Sequence, residues 1–266
     1  MMTPGSFITT GVKNAEHMEE KARSLAETYG LTFIKRNKYS VKEIIKKHDG
    51  PLFVLTQDKL TYYSADNKPP LFYHPNIAAV RAKNWRNIQK DLLVEACNLK
   101  AGDKIIDGTL GLGADSLILA LAGGKHTKVT SVEKNQVTAM LVREGLKSYA
   151  MPFEALQEAA KRIKVVNAEA CTYLKTLDDN SVDIVYFDPM FESTLDTSSG
   201  MQTLRHYADH QGLTANLIEE AKRVALKRVV VKARHSSSIF KDFGFFRIAR
   251  SNIKSVHYGY ISLKEV

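Results

Sequence analysis

The chain has 266 residues, of which 44% are hydrophobic and 25% charged, an ordinary balance for a soluble globular protein with one sizeable domain and a smaller one. No apolar run approaches the roughly 20 residues that span a bilayer, and the start, Met1–Phe7, lacks the basic and apolar regions of a secretion signal. The two cysteines, Cys97 and Cys171, lie far apart with no C-x-x-C, which argues against a disulfide framework or a zinc site and leads us to expect a cytoplasmic protein.

Phe7–Thr10 reads as a short strand and residues 14–29 as a charged amphipathic helix that Gly30 stops. Leu31–Ile34 resumes as a strand. Ser40 caps a short helix over Val41–Lys47, which ends before Gly50 and Pro51. Leu52–Leu55 and Leu60–Tyr63 form a hairpin across the turn Thr56–Lys59. The linker-like run Asn67–Pro70 sets the expected boundary between a small N-terminal α/β domain, 1–73, and a second domain, 74–266. A helical pattern covers Asn76–Asn98, and Lys100–Asp103 turns the chain into a strand. Strands near 104–107, 128–133, 163–166, 182–187 and 228–233 alternate with helical segments, the pattern of a parallel sheet covered on both faces. Phe245–Ala249 and Val256–Leu263 close the chain as an antiparallel hairpin.

Charge adds a second clue. Lys and Arg number 38 against 29 Asp and Glu, a net charge of +9 that attracts polyanions such as nucleic acid. The basic residues recur as Arg81, Lys83, Arg86 and Lys90, as Lys222, Arg223, Lys227 and Arg228, and as Lys232 and Arg234. Each cluster reads either as a phosphate-binding surface or as a solvated face.

The chemistry gathers at strand ends. Behind Ile105-Ile106, the run Asp107-Gly-Thr-Leu-Gly-Leu-Gly113 is a strand ending in an acid, then a glycine turn, then a helix beginning near Asp115. Glycine lets such a turn bend sharply and lets a ligand approach its amides. Farther on, Val129–Val132 ends in Glu133, and an acid at that strand tip accepts hydrogen bonds from both hydroxyls of a ribose. The two pieces make a nucleoside-binding βαβ unit. A dinucleotide fold would need a third glycine where Ser116 stands, and the P-loop's GK[ST] is missing.

Asp188-Pro-Met-Phe191 follows the strand Asp183–Phe187, at the sheet end where open α/β folds place their sites. Proline stiffens the backbone, so Asp188 and neighbouring carbonyls can accept hydrogen bonds from an NH2 group and turn its lone pair. Phe191 offers a face on which an extruded base can stack. The alternative is a plain β-turn with Phe191 in the core. The Ser-, Thr-, Asp- and His-rich span 192–211 reads as a mobile loop over the site.

D-x-T-x-G-x-G at 107–113 resembles motif I of class I S-adenosylmethionine-dependent methyltransferases. Asp188–Phe191 resembles the (D/N)-P-P-(Y/F) motif of those that modify exocyclic amino groups. With Glu133-Lys134, Y-F-D-P-M-F at 186–191 and R-V-V-V-K at 228–232, the stretch Asp107–Lys232 is similar to the RsmJ-type small-subunit ribosomal RNA guanine-N2 methyltransferases. The resemblance implies an α/β fold: a Rossmann-like class I methyltransferase sheet, mostly parallel with a C-terminal antiparallel hairpin, beside the small N-terminal α/β domain. It implies S-adenosyl-L-methionine as cofactor, RNA of the small ribosomal subunit as partner, and neither metal nor membrane.

Residue by residue, it implies cofactor contacts at Asp107, Gly111, Gly113, Ala114, Asp115, Glu133, Lys134, Glu169, Ala170 and Asp188, and a catalytic group of Asp188, Pro189, Met190 and Phe191. Asp115 also reads as a helix cap, Lys134 as a backbone contact only, and Glu169 as an acceptor for the adenine amine where the family often has a small hydroxyl residue. Ala82–Asn87 departs from the family's glycine-rich basic stretch, and no proline follows the basic residues of Lys232–His235. His74–Asn76 with Arg81 reads as a substrate entrance or an interdomain turn, Trp85 as a stacking or packing residue, and Lys232 as a phosphate ligand or an ion-pair partner. Two rival functions stay open: methylation of a protein side chain or small metabolite, and RNA binding without catalysis.

Overall fold

The computed structural model describes residues 5–13, 15–189, 212–248 and 256–263. In chain order the elements are β1 (Phe7–Thr10), α1 (Ala15–Tyr29), β2 (Thr32–Phe33), α2 (Val41–His48), β3 (Leu52–Leu55), β4 (Leu60–Tyr63), β5 (Leu71–Phe72), α3 (Asn76–Ile88), α4 (Leu92–Cys97) and β6 (Lys104–Asp107). They continue as α5 (Ala114–Ala122), β7 (Lys128–Glu133), α6 (Gln136–Ser148), α7 (Glu154–Ala160), β8 (Ile163–Asn167), α8 (Ala170–Leu174), β9 (Val182–Phe187), α9 (Ala215–Val224), β10 (Ala225–Arg234), α10 (Ile239–Asp242), β11 (Phe246–Arg247) and β12 (Val256–Ser262). These divide into two compact units: the described parts of Met1–His74 together with Gln136–Tyr149, and the described parts of Pro75–Asn135, Ala150–Thr194 and Ala208–Val266.

In the first unit the sheet order is β2-β1-β3-β4-β5, with β1 parallel to both neighbours and β3, β4 and β5 forming an antiparallel meander. Strand β5 was not expected: it follows directly on Pro69-Pro70, where the linker-like residues mask two residues of pairing. Ser40 starts α2 through a reciprocal capping box, its Oγ accepting from Glu43 N while Glu43 accepts from Ser40 N. Ile44, Leu52 and Val54 form a small core beneath it. Helix α6 also belongs to this unit. Its Gly145 lies flat against Tyr73, where an added Cβ would come within 2.2 Å of the ring, and Tyr29 donates to Glu144 at 2.6 Å.

The second unit holds a seven-stranded sheet in the order β11-β12-β10-β9-β6-β7-β8. Strands β6 to β10 are parallel, and β12 runs antiparallel to both β10 and β11. The hairpin expected at the C-terminus is therefore present, with its last strand inserted inside the sheet. Alternation along the strands puts Ile106, Val132, Val185, Phe187, Val229 and Val231 on one face, buried with Leu174 of α8 and Leu217, Ile218, Ala221 and Val224 of α9. Each of these valine, leucine, isoleucine and phenylalanine side chains contributes about 1.5–3 kcal/mol by leaving water. The helical pattern Asn76–Asn98 resolves into α3 and α4, because Gln89 adopts a left-handed φ of 48° and Asp91 caps a new helix by accepting from Leu93 N. Strand order reverses at β6, with β7 and β8 on one side and β9 and β10 on the other. The carboxyl ends of these strands bring Asp107, Glu133, Asp188 and Lys232 to the same end of the sheet.

Candidate active site

The glycine turn is built by the acid before it. Asp107 is fully buried; its carboxylate accepts from Thr109 N at 3.0 Å and from Ser116 Oγ, which in turn bonds Ser131 Oγ at 2.8 Å. Burial, reinforced by the nearby Asp115 and Asp188 charges and opposed by these hydrogen bonds, pushes the Asp107 carboxyl up to about 7. Gly111 and Gly113 both take positive φ, 51° and 75°, which makes the turn accessible to glycine and costly for other residues. Gly108 meets a different constraint, since a Cβ there would stand 2.3 Å from the Phe187 ring.

Glu133 closes the turn from the tip of β7. One carboxylate oxygen accepts from Gly111 N at 3.2 Å and the other from Asn135 N at 2.8 Å. A carboxylate offers about four acceptor positions, so the geometry joins the glycine turn to an acid suited to ribose hydroxyls. Lys134 is exposed and Ala170 half-buried. Asn167 donates to the carbonyls of Glu133 and Lys134 at 2.8 and 3.1 Å, fixing the backbone after the second strand. Glu169 caps α8: its two oxygens accept from Cys171 N at 3.0 Å and from Thr172 N at 2.7 Å. Burial acts against ionisation there, but those bonds hold the carboxyl below its usual range.

Ala114 is half-buried at the first position of α5, and Asp115 follows it. Asp115 makes no cap. Its side chain turns sideways to accept from Arg81, from Tyr186 Oη at 2.9 Å and from Lys232 Nζ at 3.3 Å. Arg81 is itself held by a two-pronged contact to Asp91, both at 2.9 Å. Lys232 Nζ reaches Asp188 Oδ2 at 2.5 Å, and Asp188 N donates to Thr109 Oγ1 at 2.6 Å. Burial alone would push Asp115 upward, yet Lys232 and Arg81 hold it well below the carboxylate range. Burial raises Asp188 above that range against the pull of Lys232.

Arg81 and Lys232 thus serve as ion-pair partners, where an entrance residue and a phosphate ligand were the other readings. Their cluster sets two cations against three carboxylates, Asp91, Asp115 and Asp188. Excess negative charge beside a glycine turn and a strand-tip acid suits a cationic nucleoside. Pro189, the next residue in the chain, is buried. Met190, Phe191 and the loop 192–211 lie outside the described residues. Several basic residues read as polyanion contacts are also paired: Lys227 with Asp103 and Asp183, Arg223 with Asp179 and Glu220, and Lys222 with Glu219. The Arg81–Asp115–Lys232–Asp188 chain is not legible in the sequence, since its bonded neighbours are 34 to 117 positions apart and carry no local spacing signal. Among the described residues, no cluster of His, Cys, Asp and Glu could hold a metal ion, and no helix is long and apolar enough to cross a membrane.

This chain is 38% identical over 255 residues to the uncharacterized protein YpiP of Bacillus subtilis, covering 96% of this chain and 98% of that one. The ribosomal RNA small subunit methyltransferase J of Acinetobacter baumannii (strain SDF) is 30% identical over 165 residues, 56% of this chain and 58% of the relative. The corresponding protein of Hydrogenovibrio crunogenus is 35% identical over 133 residues, 48% and 47%. The chain therefore matches about half the length of those two relatives. A SAM-dependent methyltransferase from Neisseria gonorrhoeae shares the fold, with a TM-score of 0.64 at 22% identity over 98% of this chain and 97% of that one. Residues 36–244 match the family model for SAM-dependent methyltransferases, so the chain belongs to that family and its cofactor is S-adenosylmethionine.

Proposed function

We propose that this protein methylates the exocyclic amine of a guanine in small-subunit ribosomal RNA, working in the cytoplasm. The observation that carries the reading is the Asp188 carboxylate at the tip of β9, anchored through its own N–H on Thr109 Oγ1 and followed by buried Pro189, beside the glycine turn. Two relatives named as ribosomal RNA small subunit methyltransferases support the RNA class. So does α3, which carries no acidic residue and, with the residues just after it, exposes Lys83, Arg86 and Lys90.

In this reading Gly111, Gly113, Ala114, Glu133, Lys134 and Ala170 hold the cofactor, Glu133 by accepting from the ribose. Asp107, Asp115 and Glu169 act behind them, by fixing the turn, the charge cluster and the start of α8. When bound, S-adenosylmethionine supplies an electrophilic methyl group on a sulfonium sulfur. Asp188 accepts a hydrogen bond from the amine N–H, which aims the nitrogen lone pair. Transfer of that methyl would place positive charge on the amine nitrogen beside the Asp188 carboxylate, which would stabilise it and receive the departing proton. Met190 and Phe191 complete the proposed group, Phe191 by stacking on the base.

Asp188→Ala tests the assignment. Transfer from labelled S-adenosylmethionine to small ribosomal subunits should fall by about a thousandfold, with the protein folded and still binding cofactor. Near-full transfer would remove Asp188 from the reaction.

A further inference from the structure

The catalytic reading accounts for Asp188 but not for the half-buried cation beside it. Lys232 projects from β10, opposite Tyr258 of β12 in the sheet register, and its side chain is 19% exposed. Its ammonium lies between two carboxylates, 2.5 Å from Asp188 Oδ2 and 3.3 Å from Asp115 Oδ2. Asp115 has a second cation, Arg81, which is locked in place by Asp91. With Asp115 so neutralised, the shorter contact of Lys232 goes to Asp188.

Resting on the assignment of Asp188 as amine acceptor, we infer that Lys232 is a positioning residue that keeps Asp188 ionised and fastened by Oδ2, leaving Oδ1 to meet an incoming amine. The physical need is plain. The Asp188 side chain is 28% exposed and faces Asp115, and partial burial beside a like charge favours its protonated form unless a cation holds it charged; a protonated Asp188 would present a donor to a donor. The groups facing Asp188 are Lys232 from β10, Asp115 from α5, Arg81 from α3, Asp107 and Tyr186 from the ends of β6 and β9, and Tyr258 from β12. Of these, Lys232 alone makes a direct charged contact with the Asp188 carboxylate among the described residues. It stays charged because Asp115 and Asp188 together outweigh the burial that would strip its proton.

The test reads Asp188 itself, by carboxyl-carbon NMR titration of the full chain with isotope-labelled aspartate, the resonance being assigned by its loss in Asp188→Asn. Lys232→Met should raise the Asp188 midpoint by about one pH unit or more, and Lys232→Arg should restore most of the shift. Asp115→Asn, which removes a repelling charge and leaves Lys232 to Asp188, should lower the midpoint. A structural role alone does not produce shifts of opposite sign. An Asp188 midpoint that stays put in folded Lys232→Met overturns the inference; if that variant does not fold, an unmoved or raised midpoint in Asp115→Asn does so.

Turnover separates this inference from the reading beneath it. With small ribosomal subunits and labelled S-adenosylmethionine, the acid limb of the Lys232→Met rate profile should move to higher pH with the midpoint. If Asp188→Ala stays active, the acceptor assignment falls and takes the positioning role with it. If Asp188→Ala is dead but the Asp188 midpoint ignores Lys232→Met, only the positioning role falls.

Discussion

Asp107→Asn removes one charge from the buried base of the glycine turn and leaves its shape. The amide oxygen can still accept from Thr109 N, and the amide NH2 can donate to Ser116 Oγ, whose hydroxyl then donates to Ser131. In the parent the carboxyl sits at about 7 in the folded protein against 3.8 for the free group. Between those values the folded state holds a proton that the unfolded chain has lost. Stability from this group is therefore fully present below about 4 and is lost as pH rises through about 7.

At 1.36 kcal/mol per pH unit the full span is about 4 kcal/mol, an upper bound that local relaxation reduces to about 2. Urea unfolding of parent and variant at pH 5 and pH 8.5 reads it out. Asp107→Asn should exceed the parent by about 0.7 kcal/mol at the lower pH, where the unfolded chain has already lost its proton, and by about 2 kcal/mol at the higher. A stability gap independent of pH would refute the claim that Asp107 is buried with its charge uncompensated. Because Asp107 shapes the turn from behind, the variant should also bind S-adenosylmethionine within about threefold of the parent.

Glu133→Ala should act on the cofactor instead: losing charged acceptors for the ribose weakens binding by about a hundredfold or more. Calorimetry checks it, and an unchanged Kd would take Glu133 out of the site. Gly108→Ala forces a methyl into the Phe187 ring, 2.3 Å away in the present geometry, and should cost about 2 kcal/mol, or about 4–8 °C in Tm. A melting curve superimposable on the parent's would mean that the ring yields freely.

Much of this fold was legible because its signals are local. Gly111 and Gly113 announce a left-handed turn, Ser40 and Glu43 a capped helix, and the apolar runs ending in Asp107 and Glu133 the first two strands of the parallel sheet. What the sequence hides is partnership across distance. Asp115 has the position of a helix cap, and nothing near it reveals that Arg81, Tyr186 and Lys232 converge on it. Glu169 reads as a ligand acceptor, and nothing near it in the sequence announces that both its oxygens also accept from the first turn of α8. The break at Gln89 is similarly silent, since glutamine rarely marks a left-handed residue. The net charge says nothing of which cations are paired, so the ion pairs of Lys222, Arg223 and Lys227 could not be foreseen from composition.

The most direct test of the account is to incubate the protein with methyl-labelled S-adenosylmethionine and small ribosomal subunits from a strain lacking the gene, then digest the RNA to nucleosides. Label should appear in small-subunit RNA and be recovered as N2-methylguanosine. Label confined to protein, or none despite measured cofactor binding, would contradict it.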